Sequence, residues 1–183
     1  MLKLKRRCFF ATAMAFLLML AGVMSYGSAA AQTQQYRLRT ADGGEITSEM
    51  LRGDVVVLAF GASWLPLSKE QVRGVQELAD EFGDRNVRVY WVSTDSDKTG
   101  SKNYASDEQL RAFARKNGLK LAVLRDPDGV FFKRLSVPGN QLPAIVLFDR
   151  NGQVSVPSVG GLDPERRLIE DLGPRLNKLL GEQ

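Results

Sequence analysis

The apolar positions of the chain fall into blocks with two different periods. Residues 54–60, Asp-Val-Val-Val-Leu-Ala-Phe, form a nearly continuous apolar run rich in β-branched residues and bounded by Gly53 and Gly61. Such a run predicts a central strand buried on both faces. From Pro66 the period changes. Val72, Val75, Leu78, Ala79 and Phe82 recur at three- and four-residue spacing before Gly83, which predicts a helix with Pro66 in its first turn and a stop at Gly83. Val87 to Val92 is a second apolar run. The three together read as a strand-helix-strand unit, for which a right-handed crossover is the rule.

Residues 93–106 are polar and lack an apolar period, so they read as a loop. Ser106 with Gln109 makes a capping-box pattern, Leu110, Phe113 and Ala114 supply one apolar face, and Gly118 supplies the stop, predicting a second helix. Leu121 to Leu124 reads as a short strand, Asp-Pro-Asp-Gly at 126–129 as a turn, and Val130 to Leu135 as a short helix. After Pro143 comes a strand from Ala144 to Phe148. The turn residues Asp149-Arg150-Asn151-Gly152 then lead to a hairpin partner at Gln153 to Val156. A last helix is expected from Asp163 as a cap through Pro164, with Gly173-Pro174 kinking or interrupting it.

The N-terminus follows different rules. Met1 to Arg7 is basic, an apolar stretch runs from Cys8 to Met24, and small residues follow, with Ala29 and Ala31 placed for cleavage before Gln32. That is the layout of an export signal over residues 1–31, followed by a single domain over 32–183. The alternative is an uncleaved membrane anchor, since the apolar stretch is at the short end of what spans a bilayer. Cleavage changes the charge: four of the 25 basic residues lie in the leader, leaving 21 against 21 acidic ones. The apparent basicity is then a targeting signal, and nucleic-acid binding through a basic surface loses its support. Cys8, the one cysteine, would leave with the leader, and the chain contains no histidine. The mature protein would reach a disulfide-permissive compartment without a thiol.

The segments DVVVLAFGASWLPLSKEQ, VYWVSTDS, LRDPDG and QLPAIVLFDRNGQV, in that order, resemble the exported thioredoxin-like family (redoxin, AhpC/TSA type) from about Tyr36 onward. The resemblance implies a thioredoxin-like α/β fold: three α/β/α layers with a mixed central sheet flanked by helices. It also implies that Pro143 takes the position of the family's cis-proline beside the active-site turn. Working members carry Cys-x-x-Cys at the start of the helix, where the helix N-terminus lowers a thiol's pKa. Here Leu65 and Ser68 stand in those slots. Ala59 stands where thioredoxins bury an acid, and a peroxidatic cysteine is equally absent from the turn.

Other chemistry finds little footing in the residues. Ser68 has no histidine to activate it, and Lys69 is its immediate neighbour on the helix, pointing elsewhere. A serine bonding to backbone or water is the simpler expectation. Asp95 with Asp97, and Asp126 with Asp128, lack the spacing of a calcium loop and read as turn and cap residues. No metal and no cofactor is expected.

What remains is a surface. Trp64, Leu65, Leu67, Leu142 and Pro143 fall where the resemblance places the family's peptide groove; either they form a small apolar patch or Trp64 and a leucine pack inward. The expected protein is exported or periplasmic and non-catalytic, a binding or scaffold module whose partner is an extended peptide or envelope protein. It would touch a membrane only through an uncleaved leader. The rival expectation is the family's own activity, a thiol-disulfide oxidoreductase or peroxiredoxin-type antioxidant.

Overall fold

The computed structural model describes residues 34–163 and 165–181. The expected leader, with Cys8 and the cleavage point near Ala31, lies outside the described residues. The described residues contain seven strands: β1 (Arg37–Thr40), β2 (Glu45–Thr47), β3 (Val55–Gly61), β4 (Val87–Ser93), β5 (Val123–Arg125), β6 (Ala144–Phe148) and β7 (Val154–Gly160). Among the described residues four α-helices accompany them: α1 (Leu67–Phe82), α2 (Asp107–Lys116), α3 (Val130–Arg134) and α4 (Leu168–Leu180). The sheet runs β2-β1-β5-β4-β3-β6-β7. Strands β3, β4 and β5 are parallel to one another, and the remaining pairs are antiparallel. The mixed sheet expected from the resemblance is therefore present.

Every residue of β3 is buried, which is why its sequence shows no polar alternation. Its odd positions Val55, Val57 and Ala59 join one core with Val72, Val75, Leu78 and Phe82 of α1, Leu110 and Ala114 of α2, and Leu168, Leu172 and Leu176 of α4. Its even positions Val56, Leu58 and Phe60 join a second core with Tyr36, Phe131, Phe132 and Phe148. The strand's period of two thus distributes one apolar run between two layers. Burying each such side chain contributes about 1.5–3 kcal/mol, so the sandwich of sheet and helices is the main source of stability.

The capping box of α2 forms as its sequence predicts, with Gln109 N–H donating to Ser106 Oγ and Ser106 N–H donating to Gln109 Oε1. Four features differ from the sequence-based expectation. The β1–β2 hairpin falls in a stretch with no strong pattern, because both strands are short: β1 is exposed on alternate residues and β2 passes from exposed to buried over three. The β6–β7 connection is held by Asp149, whose carboxylate accepts from Asn151 and Gln153 N–H, with Gly152 alone at positive φ; a two-residue Asn-Gly turn would need both residues there. Asp163 does not cap the last helix: its carboxylate accepts from Glu165 N–H in a local turn, and α4 begins at Leu168 after Arg167. Finally, α4 continues through Pro174 without interruption. Pro174 and Glu170, whose carbonyl loses its helical donor, are both exposed, so water can satisfy the freed group.

Candidate functional site

The turn between β3 and α1 is built around one glycine. A Cβ placed on Gly61 would lie 2.6 Å from Gln71 Oε1, 2.7 Å from Ser68 Oγ and 2.9 Å from Trp91 Nε1. The first turn of α1 can therefore approach the end of the strand only because this residue has no side chain. Ser68 is fully buried, and its hydroxyl accepts from Ala62 N–H at 3.1 Å. The backbone bond expected of this serine is thus what forms, and its oxygen is turned inward.

Gln71 is the polar residue that the sequence reading missed. Its amide group donates to Phe60 O at 3.2 Å and to Ala144 O at 3.0 Å, and its carbonyl oxygen accepts from Trp91 Nε1 at 3.0 Å. Both donors and the acceptor are used inside the core, so the group causes no desolvation deficit. The signal was available: Ser68, Gln71, Val72 and Val75 share one helix face, and a glutamine in the apolar phase of a buried stripe implies polar partners inside.

Asp95 is a second unrecognised component. Its carboxylate is buried and accepts from Ser63 N–H, Ser63 Oγ and Ser93 Oγ, each at 2.8 Å. It reaches across 32 positions to the turn, which corrects its reading as a local turn residue. Asp126 does act locally, accepting from Phe131 and Phe132 N–H at 2.8 Å each. Burial pushes its carboxyl above the usual carboxylate range, against the pull of those two bonds. Among the described residues, no group of three or more His, Cys, Asp and Glu side chains is placed to hold a metal ion.

The five proposed contact residues are distributed unevenly. Trp64 is 54% exposed, so it does not pack inward. Leu65 and Leu67 are half-buried and Pro66 between them is exposed. Leu142 is half-buried against the second core, on the face of the sheet away from α1. Pro143 is buried, follows a cis Leu142-Pro143 bond, and directly precedes Ala144, the partner of Phe60 in the β3–β6 ladder. The ladder therefore brings Pro143 alongside the start of the turn, as the resemblance implied.

The AhpC/TSA family model matches residues 29–156. The chain belongs to the AhpC/TSA family. A curated relative, the thioredoxin-like protein YneN of Bacillus subtilis, is 26% identical over 99 residues, covering 54% of each chain; the chain thus matches about half the length of that relative. A Chlorobium tepidum protein described as the thiol:disulfide interchange protein DsbE superposes with a TM-score of 0.66 at 23% identity, over 82% of this chain and 96% of its own. The exposed lipoprotein thioredoxin Etrx1 of Streptococcus pneumoniae gives 0.60 at 24% identity, over 77% and 99%. DsbF of Mycobacterium tuberculosis gives 0.60 at 25% identity, over 79% and 95%. These likenesses fix the thioredoxin-like fold. Within it, the AhpC/TSA member described here has leucine and a buried serine at the start of α1, neither of which can exchange with a disulfide.

Proposed function

We propose that this is an exported family member that has left thiol chemistry and binds an extended peptide or envelope-protein segment at the β3–α1 turn. The observation that carries the reading is Ser68: it stands in the second cysteine slot, fully buried, with its oxygen occupied by Ala62 N–H. With Leu65 in the first slot, the turn has an apolar surface instead of a redox pair. The exposed Trp64 supplies a rigid amphipathic contact, and Leu65 and Leu67 still have surface to bury. Burying one leucine on a partner contributes about 1.5–3 kcal/mol before association costs, which fits weak, reversible binding. Backbone near Pro143 would add strand-like hydrogen bonds to such a ligand. Export is supported by the composition of residues 1–31 and by likeness to an exposed lipoprotein thioredoxin.

Two measurements test this reading. Leader-free protein is expected to show no disulfide reduction or peroxide consumption above a thiol-and-buffer control; turnover would return the chain to the family's enzymatic activity. Titration with apolar peptides is expected to shift Trp64 emission and the amide signals of residues 61–71 and 140–145. Leu65→Asp should abolish that response with thermal stability nearly unchanged. If Leu65→Asp unfolds the protein instead, the leucine belongs to the core and the turn has only a structural role.

A further inference from the structure

We propose that Arg125 is a positioning residue for the Trp64 turn, acting through Asp95; the purpose of the turn, though not its tether, rests on the peptide-binding reading above. The Arg125 side chain is 1% exposed, at the end of β5. Its Nη1 donates to Ala105 O at 2.9 Å and to Asp107 Oδ1 at 2.7 Å, and its Nη2 donates to Asp95 O at 3.3 Å and Ser96 O at 3.4 Å. Every one of these bonds goes to the segment linking β4 to the start of α2. Two reach its first stem and two its second, so a single planar fork closes the base of the loop. The two stems also bond directly, through Ser96 N–H to Asn103 O and Ala105 N–H to Ser96 O.

Stability is a weak reason to place a charge there. An apolar residue of similar volume usually serves a buried position at least as well, and Arg125 Nε is left without a partner. What the guanidinium supplies is geometry. By holding the Asp95 carbonyl it directs the carboxylate of that residue at Ser63, whose N–H and hydroxyl both bond to it. Ser63 immediately precedes Trp64, so the backbone that carries the exposed indole is held from the neighbouring loop as well as from α1. Preorganising a contact surface lowers the entropy lost when it binds.

The experiment is amide hydrogen exchange on the unliganded chain, followed by titration with an apolar peptide. In Arg125→Met, protection of Ser63 N–H is expected to fall by about tenfold or more, the effect of losing roughly one hydrogen bond's worth of local stability. Core amides of β3 and β6, such as Leu58 and Val146, should keep theirs. Arg125→Lys retains the charge without the fork and should show the same selective loss. Arg39→Ala, which removes only the outer partner of Asp107, should leave Ser63 unchanged. Unchanged Ser63 exchange in both Arg125 variants overturns the proposal. Loss of core protection together with Ser63 in both variants also overturns it, because Arg125 would then be needed for the fold itself. If Ser63 exchange depends on Arg125 and the wild-type chain binds no peptide, the peptide-binding reading fails and the positioning role stands.

Discussion

The contacts around Gly61 are tight enough to make a single methyl group decisive. Ser68 and Gln71 are both fully buried and hydrogen-bonded, so neither can rotate away from an added Cβ without losing a partner. Gly61→Ala is therefore expected to destabilise the protein by about 1–3 kcal/mol, the usual effect of overpacking a filled core. Urea denaturation followed by circular dichroism measures this; a neutral result would mean that α1 can shift outward. At this scale the sequence was only partly informative. By resemblance it puts Leu65 and Ser68 in the cysteine slots, but the inward turn of the Ser68 hydroxyl depends on Ala62, six positions away. Gln71 gave a signal through its phase on the helix, whereas Asp95 gave none, because its main partner is 32 residues distant.

Among the elements, the start of α1 is open to a direct chemical test. Leu65 and Ser68 are three apart, and Ser68 N–H donates to Leu65 O at 3.1 Å, so they occupy one turn of helical geometry. Positions so spaced lie roughly 5–6 Å apart, inside the range of roughly 4.4–6.8 Å between bridged Cα atoms. Leu65→Cys combined with Ser68→Cys is expected to form a disulfide under mild oxidant, detected as protection from alkylation after unfolding in denaturant. A pair that stays reduced would show that the turn is not where the family's cysteines sit. Helices α1 and α2 were legible because apolar period, start and stop signals agree. The start of α4 was not: Asp163 and Pro164 carry capping signals, yet α4 begins only at Leu168, which packs into the first core against α1 and at whose atoms a Cβ on Gly74 would collide. Packing between helices overrode a local cap.

For the molecule as a whole, two carboxylates respond to acid in opposite directions. At Asp107, burial pulls the carboxyl upward, but hydrogen bonds from Arg39 and Arg125, and then their charges, hold it below the usual range. Its contribution is present above the unfolded value and is lost as the pH falls through the lower folded value. Asp126, raised by burial, behaves in the reverse sense: its effect is most favourable at low pH and is lost as the pH rises through its folded value. Asp107→Asn is accordingly expected to be less stable than wild type at neutral pH and to lose less stability below the usual carboxylate value. Thermal melts from neutral pH to about pH 3 test this; parallel curves would show that the Arg39–Asp107–Arg125 pairing adds nothing in solution.

The sequence by itself determined the strand-helix-strand unit, the capped second helix, the family and the absence of a cysteine pair at the turn, because each of these is written in local spacing or in residue identity. The tertiary structure decided the polar interior: which carbonyls Gln71 satisfies, where the Asp95 carboxylate points and what Arg125 holds. Those partners come from β3, β6, β4 and the loop before α2, so their distances exist only once the sheet has assembled. Burial sets the difference. An apolar side chain needs only a dry neighbour, and its period reveals that, whereas a buried polar group needs a particular atom at a particular distance, which no local pattern specifies.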